Sequence, residues 1–154
     1  MLLWESNGAE SMMKIVLMII SVSVVLSSCS GTSDTSVPEV ISQGFEMYQR
    51  KGAEDAINTW GASWSEEYAH SKTVLRNSLL ENEKSFGKFT GYEVVRTVAI
   101  GKSFRHHYIT LRYETSPVFA LFTTYLDSKG NWVVLYIGWN SEMKEIYPEK
   151  LYLP

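Results

Sequence analysis

The sequence predicts an α+β domain in which three helices come first and cover one face of a curved four-stranded antiparallel sheet. Three observations predict it. Apolar residues recur at helical spacing as far as Phe86. After Gly91 the pattern changes to period two and to Val, Ile, Tyr, Thr and Trp. The breaks between the later runs are too short for anything but hairpins.

Ser36, with Glu39 three residues on and Pro38 in the first turn, has the form of a capping box. It opens a helix whose stripe is Val40, Ile41, Phe45 and Tyr48 and which ends near Gly52. Ala53, Ala56, Ile57 and Trp60 carry a short second helix over residues 53–62, broken at Gly61. Ser65, Glu66 and Glu67 supply a cap and acidic first turn to a third, with Tyr68, Leu75, Leu79 and Phe86 on one face and a stop near Gly87. Strands are expected over about residues 91–100, 104–114, 117–127 and 131–140. The separators Gly101-Lys102-Ser103, Thr115-Ser116-Pro117 and Ser128-Lys129-Gly130 force neighbouring strands to pair antiparallel, so the sheet is a meander. Residues 142–148 suit a last helical turn, and residues 151–153 a terminal strand or tail.

Ahead of this domain, residues 15–26 form an apolar run of signal-peptide length, shorter than the ~20 residues of a membrane span, with Lys14 before it. It closes on Leu26-Ser27-Ser28-Cys29, and Cys29 is the only cysteine in the chain. This resembles the bacterial lipoprotein signal, in which a leucine and two small residues precede a cysteine. The resemblance implies a diacylglyceryl thioether on Cys29, cleavage before it and acylation of the new amino terminus. The thiol suits that chemistry because a soft nucleophile forms the thioether. The alternatives are an ordinary secretory peptide with a nearby cysteine and a short buried helix. Residues before Met12 fit the signal poorly, because Glu5 and Glu10 bring acidic character, so the expected start is Met12 or Met13.

The division that follows is a leader over residues 1–28, a lipid-bearing tether over residues 29–37, and one domain over residues 38–154. The tether is expected to be flexible, being rich in Ser, Thr and Gly. Two or three acyl chains hold a protein firmly where one anchors it marginally. The expected location is the cell envelope. In a Gram-negative cell it is the outer membrane facing the periplasm, since Ser30 lacks the acidic side chain that retains lipoproteins at the inner membrane. With its cysteine consumed, the fold has no disulfide. With 14 basic and 17 acidic residues and no basic cluster, nucleic acid is not an expected partner.

The helix Ala56-Ile57-Asn58-Thr59-Trp60, then Phe86-Gly87-Lys88-Phe89 and Gly91-Tyr92-Glu93-Val94, in this element order, resemble small bacterial proteins of the nuclear-transport-factor-2-like or cystatin-like group over roughly residues 38–147. That group implies a cone-shaped fold. It includes isomerases, cyclases, ligand carriers and assembly modules, so it leaves function open.

The chemistry in the sequence is sparse, and no residue is assigned as catalytic. His106 and His107 are neighbours on a strand, so they leave opposite faces and cannot share a metal ion. His70 could meet an inward His107 across a cleft, with Trp60 and Tyr68 nearby, which defines a candidate pocket. Glu66 and Glu67 suit a helix amino terminus better than acid–base work. The isomerases of the resembling group use a buried Asp. Here Asp55 falls in a helix first turn and Asp127 at a hairpin mouth. Arg96, Arg105 and Arg112 lie on strands, as anion holders or as outer-face residues packing their stems. Phosphate-loop, serine-elbow and metal-helix motifs are missing, so neither a metal nor a cofactor is implied.

Aromatic residues are the stronger signal, since all except Trp4 lie at or after Phe45. In the last two strands both alternations are apolar, which leaves an apolar patch on the uncovered side of the sheet. Phe119, Leu121, Tyr125, Trp132 and Tyr136 are the candidate interaction face, for an envelope protein or a second copy. The expected function is a lipid-anchored, non-catalytic domain that binds a protein or small ligand. The alternatives are a hydrolase or isomerase using His70 or His107 in a cone-shaped pocket, and a structural spacer.

Overall fold

The structure, a computed structural model, describes residues 35–151. Leu26, Ser27, Ser28 and Cys29, with the rest of the leader and the first part of the tether, lie outside the described residues.

Three α-helices are followed by four strands: α1 (Glu39–Lys51), α2 (Ala53–Trp60), α3 (Ala69–Phe86), β1 (Phe89–Ile100), β2 (Phe104–Tyr113), β3 (Pro117–Leu126) and β4 (Trp132–Asn140). Short 3-10 turns occupy Glu66–Tyr68, Met143–Glu145 and Glu149–Leu151. The strands pair antiparallel in the order β1-β2-β3-β4, an open meander with β1 and β4 at its edges. Among the described residues no helix is long and apolar enough to cross a membrane.

Helix α1 opens at Pro38 with no side-chain cap, so the capping box expected of Ser36 and Glu39 does not start it. Proline suits a helix entrance because its missing N–H would be unpaired there in any case. Glu39 instead accepts a hydrogen bond from Gln43 Nε2 at 2.7 Å. One residue, Gly52, joins α1 to α2; its φ of 98° is open to glycine, and its N–H donates to the carbonyls of Met47 and Tyr48. Where the two helices approach, a Cβ on Gly44 would collide with the Trp60 indole.

The core is aromatic. The Phe45 ring stacks on Tyr92 at 4.1 Å and meets Trp60 and Phe122 edge-on at 4.9 and 5.5 Å, while Trp60 meets Phe122 at 5.1 Å. Trp60 is fully buried, and its indole N–H donates to Ile41 O at 3.1 Å. Each such ring contributes roughly 1.5–3 kcal/mol by leaving water. The next core layer holds a polar pair, with the hydroxyls of Tyr48 and Tyr113 3.2 Å apart. Burial, above all, pushes both of their pKa values up.

Residues paired directly across strands share a face. Ile109, Leu111, Val118, Ala120 and Phe122 are buried on the face that carries the core. On the other face Tyr147, from the segment after the Met143–Glu145 turn, meets Tyr108 and Phe119 edge-on at 5.7 and 5.3 Å and shares a 3.0 Å hydrogen bond with Thr110. The second face is thus partly covered by the chain's own continuation.

Two local departures matter for the site. The third helix does not begin at Glu66 but passes through the Glu66–Tyr68 turn first, which shifts the helical phase and leaves Tyr68 half exposed instead of on a buried stripe. In β4 the register slips: Tyr136 pairs with Thr123 and Val134 with Thr124, so Leu135 is an inserted residue.

Candidate functional site

The inserted residue in β4 lies on the wall of an apolar opening at the surface. Leu135 and Tyr136 stand side by side on an edge strand, 48 % and 55 % exposed. Opposite them, the first turns of α3 present His70, Ser71, Val74 and Leu75, and the segment before α3 contributes Trp64 and Tyr68. With Ile137 at its floor, the space between is a hollow of about 310 Å³, at the small end of ligand pockets.

Two hydrogen bonds hold its walls. The Trp64 indole N–H donates to the backbone carbonyl of Val134, and the Trp139 indole N–H to Ser78 Oγ at 2.7 Å. One pins the loop ahead of α3 to β4 beside the inserted residue. The other pins the middle of α3 to the same strand further along. The Tyr136 ring turns back over Gly138, where a Cβ would meet its phenol.

The lining is chiefly apolar, and its polar groups include the His70 imidazole, the Ser71 hydroxyl and the phenols of Tyr68 and Tyr136. It includes no carboxylate and no Lys or Arg. Among the described residues, no three His, Cys, Asp or Glu side chains gather as a metal-binding group.

Comparison with protein-family models, with curated proteins and with solved structures finds no match.

Of the sequence-predicted pocket residues, Tyr68 and His70 line this hollow, while Trp60 and His107 are core. His107 is fully buried, with Nδ1 2.9 Å from Thr97 Oγ1 and Nε2 2.9 Å from Thr124 Oγ1. The Thr97 hydroxyl spends its one hydrogen on Ser36 O at 2.8 Å, so toward His107 it accepts, from an N–H at Nδ1. The ring joins β1 to β3 and, through Thr97, to the chain segment that enters α1. It does not meet His70 in a common pocket, because each ring nitrogen already faces a threonine hydroxyl inside the sheet layer.

Of the sequence-predicted interaction residues, Phe119, Leu121, Tyr125 and Tyr136 share the second face. Phe119 lies against Tyr147. Trp132 pairs with Leu126 and so lies on the other face, its ring 4.4 Å from the Arg105 guanidinium; the register slip at Leu135 separates it from Tyr136. That stacking accounts for Arg105. Asp127 is a turn residue: the N–H groups of Lys129 and Asn131 each donate to its Oδ1 at 2.8 Å. Those donors, Asn131 first, lower its pKa.

Sequence reasoning passed over Trp64, Ser71, Val74 and Leu135 as site residues. The signal available was the unbroken run Val133-Val134-Leu135-Tyr136-Ile137, too continuous for a strand with one wet face.

Proposed function

We propose that this chain is a lipid-anchored cell-envelope protein whose domain binds an apolar ligand, or an apolar side chain of a partner, in the hollow between α3 and β4. The observation that carries the binding reading is the gathering of Tyr68, Val74, Leu135 and Tyr136, all large, apolar and about half exposed, around one space. A small domain rarely leaves such a cluster wet without use for it. The anchor reading rests on the sequence: the apolar run, Leu26-Ser27-Ser28-Cys29, and a single cysteine. It puts the protein at the outer membrane, facing the periplasm, in a Gram-negative cell.

We also read the fold as a member of the nuclear-transport-factor-2-like or cystatin-like group, with the helices on the concave side of a curved sheet. The ring contacts of Phe45 and Trp60 with Phe122 support this.

The second reading is a hydrolase or isomerase acting through His70, favoured by the shared position of His70 and Tyr68 on the rim. Against it, the lining offers no carboxylate to orient the imidazole.

An apolar fluorescent probe, 1-anilinonaphthalene-8-sulfonate, tests the binding reading. Saturable binding to the folded protein should be lost in Leu135→Asp with the far-UV circular dichroism unchanged. Binding that survives Leu135→Asp would remove the hollow as the site.

A further inference from the structure

The chain joins the domain at one particular end of the sheet, and that end carries an apolar row of its own. Ile100, Phe104, Tyr125 and Val133 pair in sequence across all four strands, so they form a single line on the face opposite the core. Ile100 is 48 % and Phe104 40 % exposed, and the Phe104 ring lies 5.0 Å from that of Tyr125. Beyond the row stand the tips of two hairpins, with exposed Lys102 on one and exposed Lys129 on the other. Asp127 shares the second tip, where backbone N–H groups of its own turn bond its Oδ1 and favour the charged carboxylate, and Glu39 at the start of α1 bonds Gln43. Pro38 and Glu39, where α1 begins, border a hollow together with Gly130, Asn131 and Trp132, so the chain joins the domain at this same end.

From these positions we infer that the row Ile100, Phe104, Tyr125 and Val133 docks on the lipid surface to which Cys29 is attached. The inference rests on the anchor reading proposed above. Six residues of chain lie between Cys29 and Ser36, whose carbonyl is fixed to Thr97, and even fully extended the seven steps from one to the other reach only about 25 Å. The turn at residues 114–116, at the far end of the sheet, lies about eight strand residues beyond the Thr97–His107 pair, again roughly 25 Å. That end could face the same surface only with the tether stretched straight, an entropically disfavoured state. The near end reaches it with slack. What it then presents is a row of apolar side chains with an ammonium group at each hairpin tip, and burial of that row at the interface favours the contact.

The test uses the lipid-modified chain in vesicles of phosphatidylethanolamine and phosphatidylglycerol. Because the sulfur of Cys29 is then a thioether, a single new thiol can be labelled with an environment-sensitive fluorophore, in Ser103→Cys at the near end or Glu114→Cys at the far end. Flotation of the vesicles reads the anchor, and quenching by lipids that carry a nitroxide on the acyl chain reads the docking. The expected result is that the protein floats, the label at position 103 loses most of its emission, and the label at position 114 keeps it. The doubly substituted Ile100→Ser, Phe104→Ser chain should still float but lose the quenching. A floating protein quenched at neither position, or equally at both, overturns the docking and leaves the anchor standing. A label at position 103 that responds to protein density and not to nitroxide lipid assigns the row to a second copy and also overturns it. A protein that does not float overturns the anchor reading and the docking with it.

Discussion

The indole of Trp64 and the carbonyl of Val134, 70 residues apart in the chain, are joined by a hydrogen bond beside the inserted residue of β4. An edge strand presents carbonyls that have no ladder partner, and here one of them is used to fix the loop that begins the binding hollow. Trp64→Phe keeps an aromatic ring and removes the donor. It should lower stability by about 1 kcal/mol, as the loss of one hydrogen bond whose acceptor can turn to water. It should also weaken probe binding by more than that, because the wall formed by Trp64 is no longer pinned. Urea denaturation and probe titration on the same samples check the two effects.

Gly44 lies where α1 meets the Trp60 indole, with no room for a Cβ. Gly44→Ala should destabilise the domain by about 1–3 kcal/mol, the range for overpacking a closed core. Thermal unfolding followed by near-UV circular dichroism measures it, since Trp60 is packed against Phe45 and Phe122.

The Thr97 hydroxyl links the His107 imidazole to the carbonyl of Ser36, and so ties the start of the domain to its sheet. Thr97→Val keeps the shape and removes the link, at a cost of about 1–3 kcal/mol. Amide exchange over residues 36–41 should quicken more than exchange in β4. Equal quickening everywhere would show that the link contributes only to global stability.

Tyr48 and Tyr113 are buried with their hydroxyls together, and burial raises both pKa values; Tyr147, also buried, is pushed up to about 12. An unfolded tyrosine ionises near pH 10, while these remain protonated in the folded chain. The unfolded state therefore binds fewer protons than the native state above that pH, and stability falls as pH rises. Stability should be insensitive to these groups below about pH 9 and should drop above about pH 10, by up to ~1.4 kcal/mol per pH unit for each group. Tyr113→Phe should flatten the slope. Urea denaturation between pH 8 and 11 is the measurement.

The helices and strands were largely legible in the sequence because Gly52, Gly87, Gly101 and Gly130 punctuate it where the chain turns. The candidate site was legible only in part. Tyr68 and His70 could be placed near one another from their spacing, but the 3-10 turn that sets Tyr68 outward depends on tertiary packing and not on propensity. Leu135 could not be seen as an inserted residue, because a slip of register leaves no trace in a run that is apolar throughout. The same slip puts Trp132 and Tyr136 on opposite faces. His107 was readable as an inward strand residue. Its threonine partners come from β1 and β3, and only the register reveals them.

Under the proposed function, Cys29 attaches this domain to a membrane, and intact mass spectrometry of the protein extracted from membranes in detergent reads that attachment. The expected chain begins at Cys29 and carries a diacylglyceryl group and an amide-linked acyl chain, with the added mass absent from Cys29→Ala. A chain with an unmodified Cys29, or one that still begins upstream of it, would overturn the lipid anchor.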